Sequence, residues 1–98
     1  MTIVSTFSDD DKVLTIEIID SLSFEERNAF RATYRNREIS RCILNMNATK
    51  FIDSSALAML LLLKDALHTG VVVSIIHCNP QIKKALLSSR FDKKFSIK

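Results

Sequence analysis

An acidic side chain and two hydroxyl side chains stand together where a strand pattern passes into a helix pattern. Asp53, Ser54 and Ser55 follow an apolar pair and precede an unbroken apolar stretch. The first turn of a helix leaves backbone N–H groups unpaired, and carboxylate or hydroxyl oxygens accept hydrogen bonds from them. A helix N-terminus also favours negative charge, so a serine there can carry a phosphate group. The three residues therefore fit either an ordinary helix cap or a phosphorylation site.

The remaining chemically active residues form no recognised catalytic or ligand set. A single glycine excludes the glycine-rich loops that cradle phosphates and dinucleotides. Ser55 and His68 lie at opposite ends of one predicted helix, about 20 Å apart at 1.5 Å per residue and beyond hydrogen-bond reach. Cys42 and Cys78 lack CxxC spacing and are expected to be buried, reduced thiols. We expect no enzyme activity, no metal and no cofactor.

Length and charge narrow the class of protein. The chain has 98 residues, of which 47% are hydrophobic, which is enough for one domain over residues 1–98. We expect a cytoplasmic protein without membrane insertion, because no signal peptide pattern is present and the longest uncharged apolar run is far shorter than the ~20 residues of a membrane helix. Basic residues concentrate after Asn79, and the aromatic residues among them, Phe91 and Phe95, belong to a predicted edge strand and do not interleave with the bases in the manner of single-strand binders. A solvated basic face is favoured over direct nucleic-acid binding, and a basic face for an acidic partner stays open.

Strand and helix patterns alternate along the first half of the chain. Ile3 to Phe7 and Val13 to Ile19 read as strands, and the second strand places Leu14, Ile16 and Ile18 on one face. A capping box opens the first helix, which should end near Arg37. The box pairs Ser23 with Glu26, and one helix face carries Ala29, Phe30, Thr33 and Tyr34. A third strand is predicted over Arg41 to Met46.

The second half of the chain repeats the alternation. A helix beginning at Ser54 or Ser55 runs to about His68 and is apolar nearly all round, so it should be buried against more than one neighbour. Gly70 is expected at a left-handed helix C-cap, before a central buried strand from Val71 to Ile76. Asn79 and Pro80 begin a third helix. A last short edge strand is predicted around Phe91, Phe95 and Ile97.

This order predicts an α/β fold. Strands that alternate with helices give parallel crossovers in one sheet. We expect a mixed sheet of four or five strands with about three helices. Leu60, Leu61 and Ile82 should lie in its core.

The stretch from Phe51 to Leu57, with its leucine-rich continuation, resembles the signature of STAS domains, the family of bacterial anti-sigma factor antagonists. The resemblance spans the whole chain, since the element order and length fit a stand-alone STAS protein. It implies that a partner kinase, which also serves as an anti-sigma factor, phosphorylates the second serine of the signature, here Ser55. The family often has an acidic residue after the second strand, and Asp20 matches it. Two positions depart from the family: Ala56 replaces a usual glycine, and Asn45 stands where the third strand often carries an aspartate near its centre.

By this resemblance the partner-binding residues are Asp20, Asp53, Ser54, Ser55, Ala56 and Leu57. The implied function is partner switching: the protein binds an anti-sigma factor/serine kinase when Ser55 is free, phosphorylation releases it, and a serine phosphatase resets it. A phosphate would add roughly −1.5 to −2 charge that an apolar or acidic partner surface cannot accept. For Asp20 and Asp53 a purely structural capping role remains open. Two alternatives also remain, namely a constitutive STAS subunit of a lipid transport complex and a small enzyme.

Overall fold

A computed structural model describes residues 2–98 of the chain. These residues form seven strands, three α-helices and two single 3-10 turns. The strands are β1 (Ile3–Ser8), β2 (Val13–Ile18), β3 (Asp20–Leu22), β4 (Arg41–Asn45), β5 (Thr49–Ile52), β6 (Val72–Ile76) and β7 (Ser96–Ile97). The helices are α1 (Arg27–Tyr34), α2 (Ser54–Ala66) and α3 (Pro80–Ser88), and the 3-10 turns cover Phe24–Glu26 and Phe91–Lys93.

The main sheet is mixed and has five strands in the order β1-β2-β4-β6-β7. Strand β1 pairs antiparallel with β2 across a tight polar turn, whereas β2, β4, β6 and β7 pair in parallel. Parallel pairing requires a crossover between strands, and the helices provide it. The predicted α/β fold, with three helices and a mixed sheet of five strands, is therefore confirmed.

One face of this sheet carries the hydrophobic core. Alternate residues of β2, β4 and β6 are fully buried there, because successive side chains of a strand point to opposite faces. The helices bury Phe30, Leu60 and Leu86 against the same face, and these side chains belong to one continuous cluster. The predicted core residues Leu60 and Ile82 are buried, and Leu61 is partly buried at the edge of the cluster.

Two short strands, β3 and β5, form a separate parallel ribbon that the sequence analysis does not predict. Leu22 and Thr49 are buried in it, and the Thr49 hydroxyl donates to the Ile18 carbonyl at 2.6 Å. With three and four residues, neither strand is long enough to show a clear alternation of apolar and polar side chains. The ribbon matters for function because helix α2 begins directly after β5.

The first helix is shorter than predicted and its buried face is narrower. The capping box is confirmed, since the Ser23 backbone N–H donates to the Glu26 carboxylate at 3.1 Å. The box opens a 3-10 turn before the α-helix, which ends at Tyr34 rather than near Arg37. Phe30, Thr33 and Tyr34 are buried as expected, but Ala29 is exposed. Ala29 lies on the side of helix α1 that faces solvent rather than the sheet.

Helix α2 packs against more than one neighbour, as predicted, since it contacts helix α1 and strand β5 as well as the core, but its outer side is exposed. It ends at Ala66, two residues before His68, and Leu62 is 62% exposed. Gly70 has a positive φ of 99°, but the prediction of a C-cap is wrong because Leu67 caps the helix in extended backbone. Gly70 instead serves the turn that leads into β6.

The last strands also differ from the sequence prediction in detail. Strand β6 lies inside the sheet but is not buried on both faces, since Val72 is 52% exposed on the face without helices. Asn45 is the last residue of β4 and not near its centre. Phe91 and Phe95 stack on each other in the core, with ring centroids 5.3 Å apart. Only Ser96–Ile97 forms the edge strand β7, because the two phenylalanines are used for packing.

Candidate interaction site at the start of helix α2

Asp53 caps helix α2. Its backbone is extended, with φ −104° and ψ −178°, and its Oδ1 accepts a hydrogen bond from the Ala56 N–H at 2.9 Å. This bond satisfies one of the backbone donors that a helix start leaves unpaired. The carboxylate also lies at the positive end of the helix dipole, which stabilises its charge. The capping role of Asp53, which the sequence left open, is confirmed.

The two serines that follow are not required for this cap. Ser54 is the first helical residue and is exposed, whereas Ser55 is half-buried. Ala56 is completely buried beneath them, and Leu57 is partly buried against the core. The Ala56 methyl group therefore faces the protein interior and is not offered to a partner. The surface at this point consists of the two serines and part of Leu57.

Asp20 lies on the same ribbon but at its other end. It begins β3 with a positive φ of 68°, a conformation that aspartate adopts more readily than most residues. Its backbone pairs with Thr49, four positions before Asp53, which corresponds to about 13 Å along a strand. The Asp20 carboxylate is 3.8 Å from the Lys50 ammonium, and both side chains are exposed. Within residues 2–98 this is the only ion pair, and its exposure makes it weak.

Asn79 fixes the ribbon to helix α3. Its Oδ1 caps α3 by accepting from the Ile82 N–H at 2.8 Å. Its Nδ2 donates to the Lys50 carbonyl at 3.1 Å and to the Thr49 carbonyl at 3.4 Å. One side chain therefore holds both a helix start and the strand that leads to Asp53. The Asn–Pro pattern predicted the cap but gave no sign of the link to β5.

Two exposed phenylalanines adjoin the site, and the sequence analysis does not identify either as a binding residue. Phe51 in β5 is 56% exposed, and Phe24 is 57% exposed. The ends of β3 and β5 pair through Leu22 and Ile52, so Phe24 lies at the same end of the ribbon as the start of α2. The Arg27 guanidinium carbon is 3.9 Å from the centroid of the Phe24 ring. Large exposed aromatic side chains are typical of protein interfaces.

Of the two cysteines that were predicted to be buried, Cys42 is buried and Cys78 is only partly buried. Cys42 is fully buried in β4, and burial raises the pKa of its thiol to about 12. The neutral thiol is a weak nucleophile and a poor metal ligand. Burial also raises the pKa of Tyr34, against the opposing effect of Arg31. Both groups belong to the core and lie outside the α2 start.

The sequence and the fold have clear relatives. The family model described as STAS domain matches residues 6–98. The chain belongs to the STAS domain family. It is also 35% identical, over 102 aligned positions, to a STAS-domain containing protein of Pseudomonas aeruginosa strain UCBPP-PA14, and the match covers 99% of each chain.

Two solved structures share this STAS fold. The anti-sigma factor antagonist SpoIIAA, in its unphosphorylated form, superposes with a TM-score of 0.75 at 14% identity and covers 98% of this chain and 86% of its own. An anti-sigma factor antagonist from Mycobacterium paratuberculosis gives a TM-score of 0.79 at 16% identity, covering 97% of this chain and 84% of its own. At these identities the superpositions show the fold.

None of the three helices within residues 2–98 combines the length and the apolar character needed to cross a membrane.

Proposed function

We propose that this STAS domain is a partner-switching regulator that binds an anti-sigma factor of the serine-kinase type. The unphosphorylated form binds the partner through the start of α2 and the exposed face of the β3–β5 ribbon. Phosphorylation of Ser55 releases the partner, and a serine phosphatase restores binding. The protein acts in the cytoplasm by binding rather than by catalysis.

The observation that carries this proposal is that the residue that caps α2 is different from the serines at its start. Asp53 alone supplies the side-chain cap, so Ser54 and Ser55 are free for another role. Phe51 and Phe24 are both more than half exposed, and Phe24 lies at the same end of the ribbon as these serines. An uncharged hydroxyl beside exposed phenylalanines is compatible with a packed partner. A phosphate of roughly −1.5 to −2 charge is not, because its charge would have to be desolvated.

The same geometry supports a switch that leaves the fold intact. A phosphate on Ser55 would sit in the first turn of α2, where unpaired N–H groups and the helix dipole favour negative charge. The neighbouring Asp53 carboxylate would add to the negative field that a partner meets. The modification should therefore change binding much more than stability.

The decisive experiment has two parts. The protein is first isolated from its own host and its phosphorylation is mapped by fragmentation mass spectrometry, with phospho-Ser55 as the expected product. The purified protein is then incubated with the host's anti-sigma serine kinase and ATP. Label should disappear in Ser55→Ala and persist in Ser54→Ala. Label confined to Ser54 would defeat the assignment of the phosphoacceptor.

Binding and stability are measured on the same set of variants. Ser55→Ala should bind the kinase partner at least as well as wild type, whereas Ser55→Asp should bind weakly and still unfold near the wild-type temperature. Ser54→Asp is the matched control, because it places the same charge one residue away. Phe51→Ser should weaken binding of the kinase and slow phosphorylation of Ser55, although Ser55 itself is unchanged. A partner that binds Ser55→Asp and wild type equally well would instead indicate a constitutive interaction module.

A further inference from the structure

The sheet face opposite the helices is uncovered within residues 2–98. Its side chains come from alternate positions of the five strands and lie outside the core cluster. Strand register arranges them in three rows. The upper row is Ser8, Val13, Arg41 and Val72; the middle row is Thr6, Thr15, Ile43, Ser74 and Ser96; the lower row is Val4, Glu17, Asn45 and Ile76. We call these residues the open face.

The open face is mostly polar but exposes several valine and isoleucine side chains. Val4 and Val72 are about half exposed, at 46% and 52%. Ile43 lies at the centre of the middle row, on the middle strand of the sheet. The half of the face formed by β4, β6 and β7 contains a shallow depression of about 420 Å³ that Ile43, Val72 and Ile76 help to line. Exposed apolar side chains that lie together in such a depression are a feature of interaction surfaces.

Glu17 and Arg41 are two opposite charges on this face without an ion-pair partner inside residues 2–98, and Lys98 lines the same depression as a further basic residue. Glu17 lies in the lower row on β2 and Arg41 in the upper row on β4, separated by about 13 Å along the strand direction. Within residues 2–98 the only ion pair joins Asp20 and Lys50, so neither Glu17 nor Arg41 takes part in one. The two charges are too far apart to pair with each other.

We propose that the open face binds a second copy of this chain, as an isologous face-to-face pair of sheets. A two-fold axis that runs along the middle row, perpendicular to the strands, places Ile43 against its partner's Ile43. The same axis places Arg41 opposite the partner's Asn45 and Val72 opposite the partner's Ile76. An interface of this kind must be self-complementary, because each patch meets its own copy.

The positions of Glu17 and Arg41 satisfy the requirement that the interface be self-complementary. The axis places Glu17 opposite the partner's Val13, and Val13 pairs with Arg41 on the adjacent strand. Adjacent strands are about 4.8 Å apart, which a long arginine side chain spans. The dimer therefore forms two symmetry-related pairs between Glu17 and Arg41 that the single chain cannot form. This pairing favours a second copy over an unrelated partner.

The area of the face sets the strength of association. Five strands about 4.8 Å apart and five residues of about 3.3 Å each give a face of roughly 400 Å². Two such faces bury roughly 800 Å², below the 1,200–2,000 Å² of standard stable interfaces and in the range of transient ones. The dimer should therefore be weak and appear only at high protein concentration.

Sedimentation velocity over a range of concentrations tests this. The mean mass should rise from the 11.1 kDa of one chain towards twice that value. Ile43→Lys should remain at the mass of one chain. The matched control is Leu62→Lys, which places the same charge on an exposed leucine of helix α2, on the other side of the molecule, and should associate like wild type. Circular dichroism verifies that each variant is folded.

A second experiment exchanges the charges of Glu17 and Arg41. Glu17→Arg and Arg41→Glu should each weaken association by about tenfold or more, because like charges then meet across the axis. The double variant should restore it, since both pairs re-form with reversed sign. A wild-type protein that stays at 11.1 kDa at every concentration overturns the proposal. So does association that is lost in Leu62→Lys but kept in Ile43→Lys, or single charge variants that the double variant does not rescue.

Discussion

At the start of helix α2 one side chain holds the helix and its neighbours are left free. The Asp53 carboxylate accepts from the Ala56 N–H, whereas the Ser54 and Ser55 hydroxyls are not part of the cap. If Ser55 is phosphorylated as proposed, the Asp53 cap is not altered, so helix α2 should stay in place.

Removal of the cap should therefore affect stability and not only binding. Asp53→Ala should lower the free energy of unfolding by about 0.5–2 kcal/mol, because the Ala56 N–H loses its acceptor. Urea denaturation followed by circular dichroism measures the change. Ser54→Ala is the matched control and should be nearly neutral, because Ser54 is exposed and makes no cap. Equal losses for the two variants would contradict the assignment of Asp53 as the cap.

The thiol of Cys42 should make stability decrease at alkaline pH. Burial raises its pKa from the ordinary 9.0 to about 12 in the folded protein. Below pH 9 both states hold the proton; between about pH 9 and 12 the unfolded chain releases it and the folded protein keeps it, so the free energy of unfolding falls as pH rises. Urea midpoints at pH 8 and pH 10 measure this for wild type and Cys42→Ala. The fall should be smaller in Cys42→Ala; parallel pH profiles would show that Cys42 does not titrate in this way.

At the scale of elements, helix α2 has a buried side and an exposed side although residues 56–63 are all apolar. Leu60 and Leu63 are fully buried, while Leu62 is largely exposed. The helix packs on the core and beside helix α1, so one of its sides still faces solvent. The side that faces solvent cannot be read from hydrophobic periodicity where every position is apolar.

Paired truncations in α2 distinguish its two sides. Leu60→Ala should lower the free energy of unfolding by about 2–5 kcal/mol, because it removes buried methyl groups and leaves a cavity. Leu62→Ala should change it by no more than about 0.5 kcal/mol, as is usual for exposed positions. Denaturant unfolding of both variants provides the comparison. A larger loss for Leu62→Ala than for Leu60→Ala would mean that the helix is rotated about its axis relative to the structure.

The elements that were predicted well from the sequence are those with a regular alternation of apolar and polar residues or with a strong helix cap. Strand β2 has a clean alternation, and the Asn79–Pro80 start of α3 has both a cap and a proline at the first helical position. The β3–β5 ribbon was missed because its strands are too short for periodicity and are held by tertiary bonds such as that of the Thr49 hydroxyl to Ile18. The serine signature indicates a candidate site, and whether it is the functional one stays a prediction. The exposure of Phe24 and Phe51 depends on how the ribbon packs on the domain, which no local sequence pattern encodes.

At the scale of the whole molecule, all three helices and the main sheet share one continuous core. No group of buried side chains in residues 2–98 forms a second, independent cluster. A domain of this size with a single core usually unfolds in one cooperative step. The ribbon that presents the candidate site is tied into that core through Leu22 and Thr49, so the site should not melt separately.

Tyr34 provides a probe of this cooperativity. It is the only tyrosine, the chain has no tryptophan, and its ring is buried edge-on to Phe30 at a centroid distance of 5.9 Å. Thermal unfolding followed by tyrosine fluorescence should coincide with unfolding followed by ellipticity at 222 nm, because helix α1 and the rest of the core melt together. Two clearly separated midpoints would show that α1 unfolds independently of the sheet.

The sheet contains both antiparallel and parallel strand pairs, which also implies an order in which the strands pair during folding. Strands β1 and β2 are joined by a turn of four residues, closed by the Lys12 N–H donating to the Ser8 carbonyl at 2.7 Å. Strands β2 and β4 pair only after the intervening ribbon strand and helix have been crossed. Hairpins close in about 1–10 μs, whereas long-range parallel pairing is intrinsically slow. In pulse-labelling hydrogen exchange, the amides shared by β1 and β2 should therefore become protected early in refolding, and those between β4 and β6 should follow later.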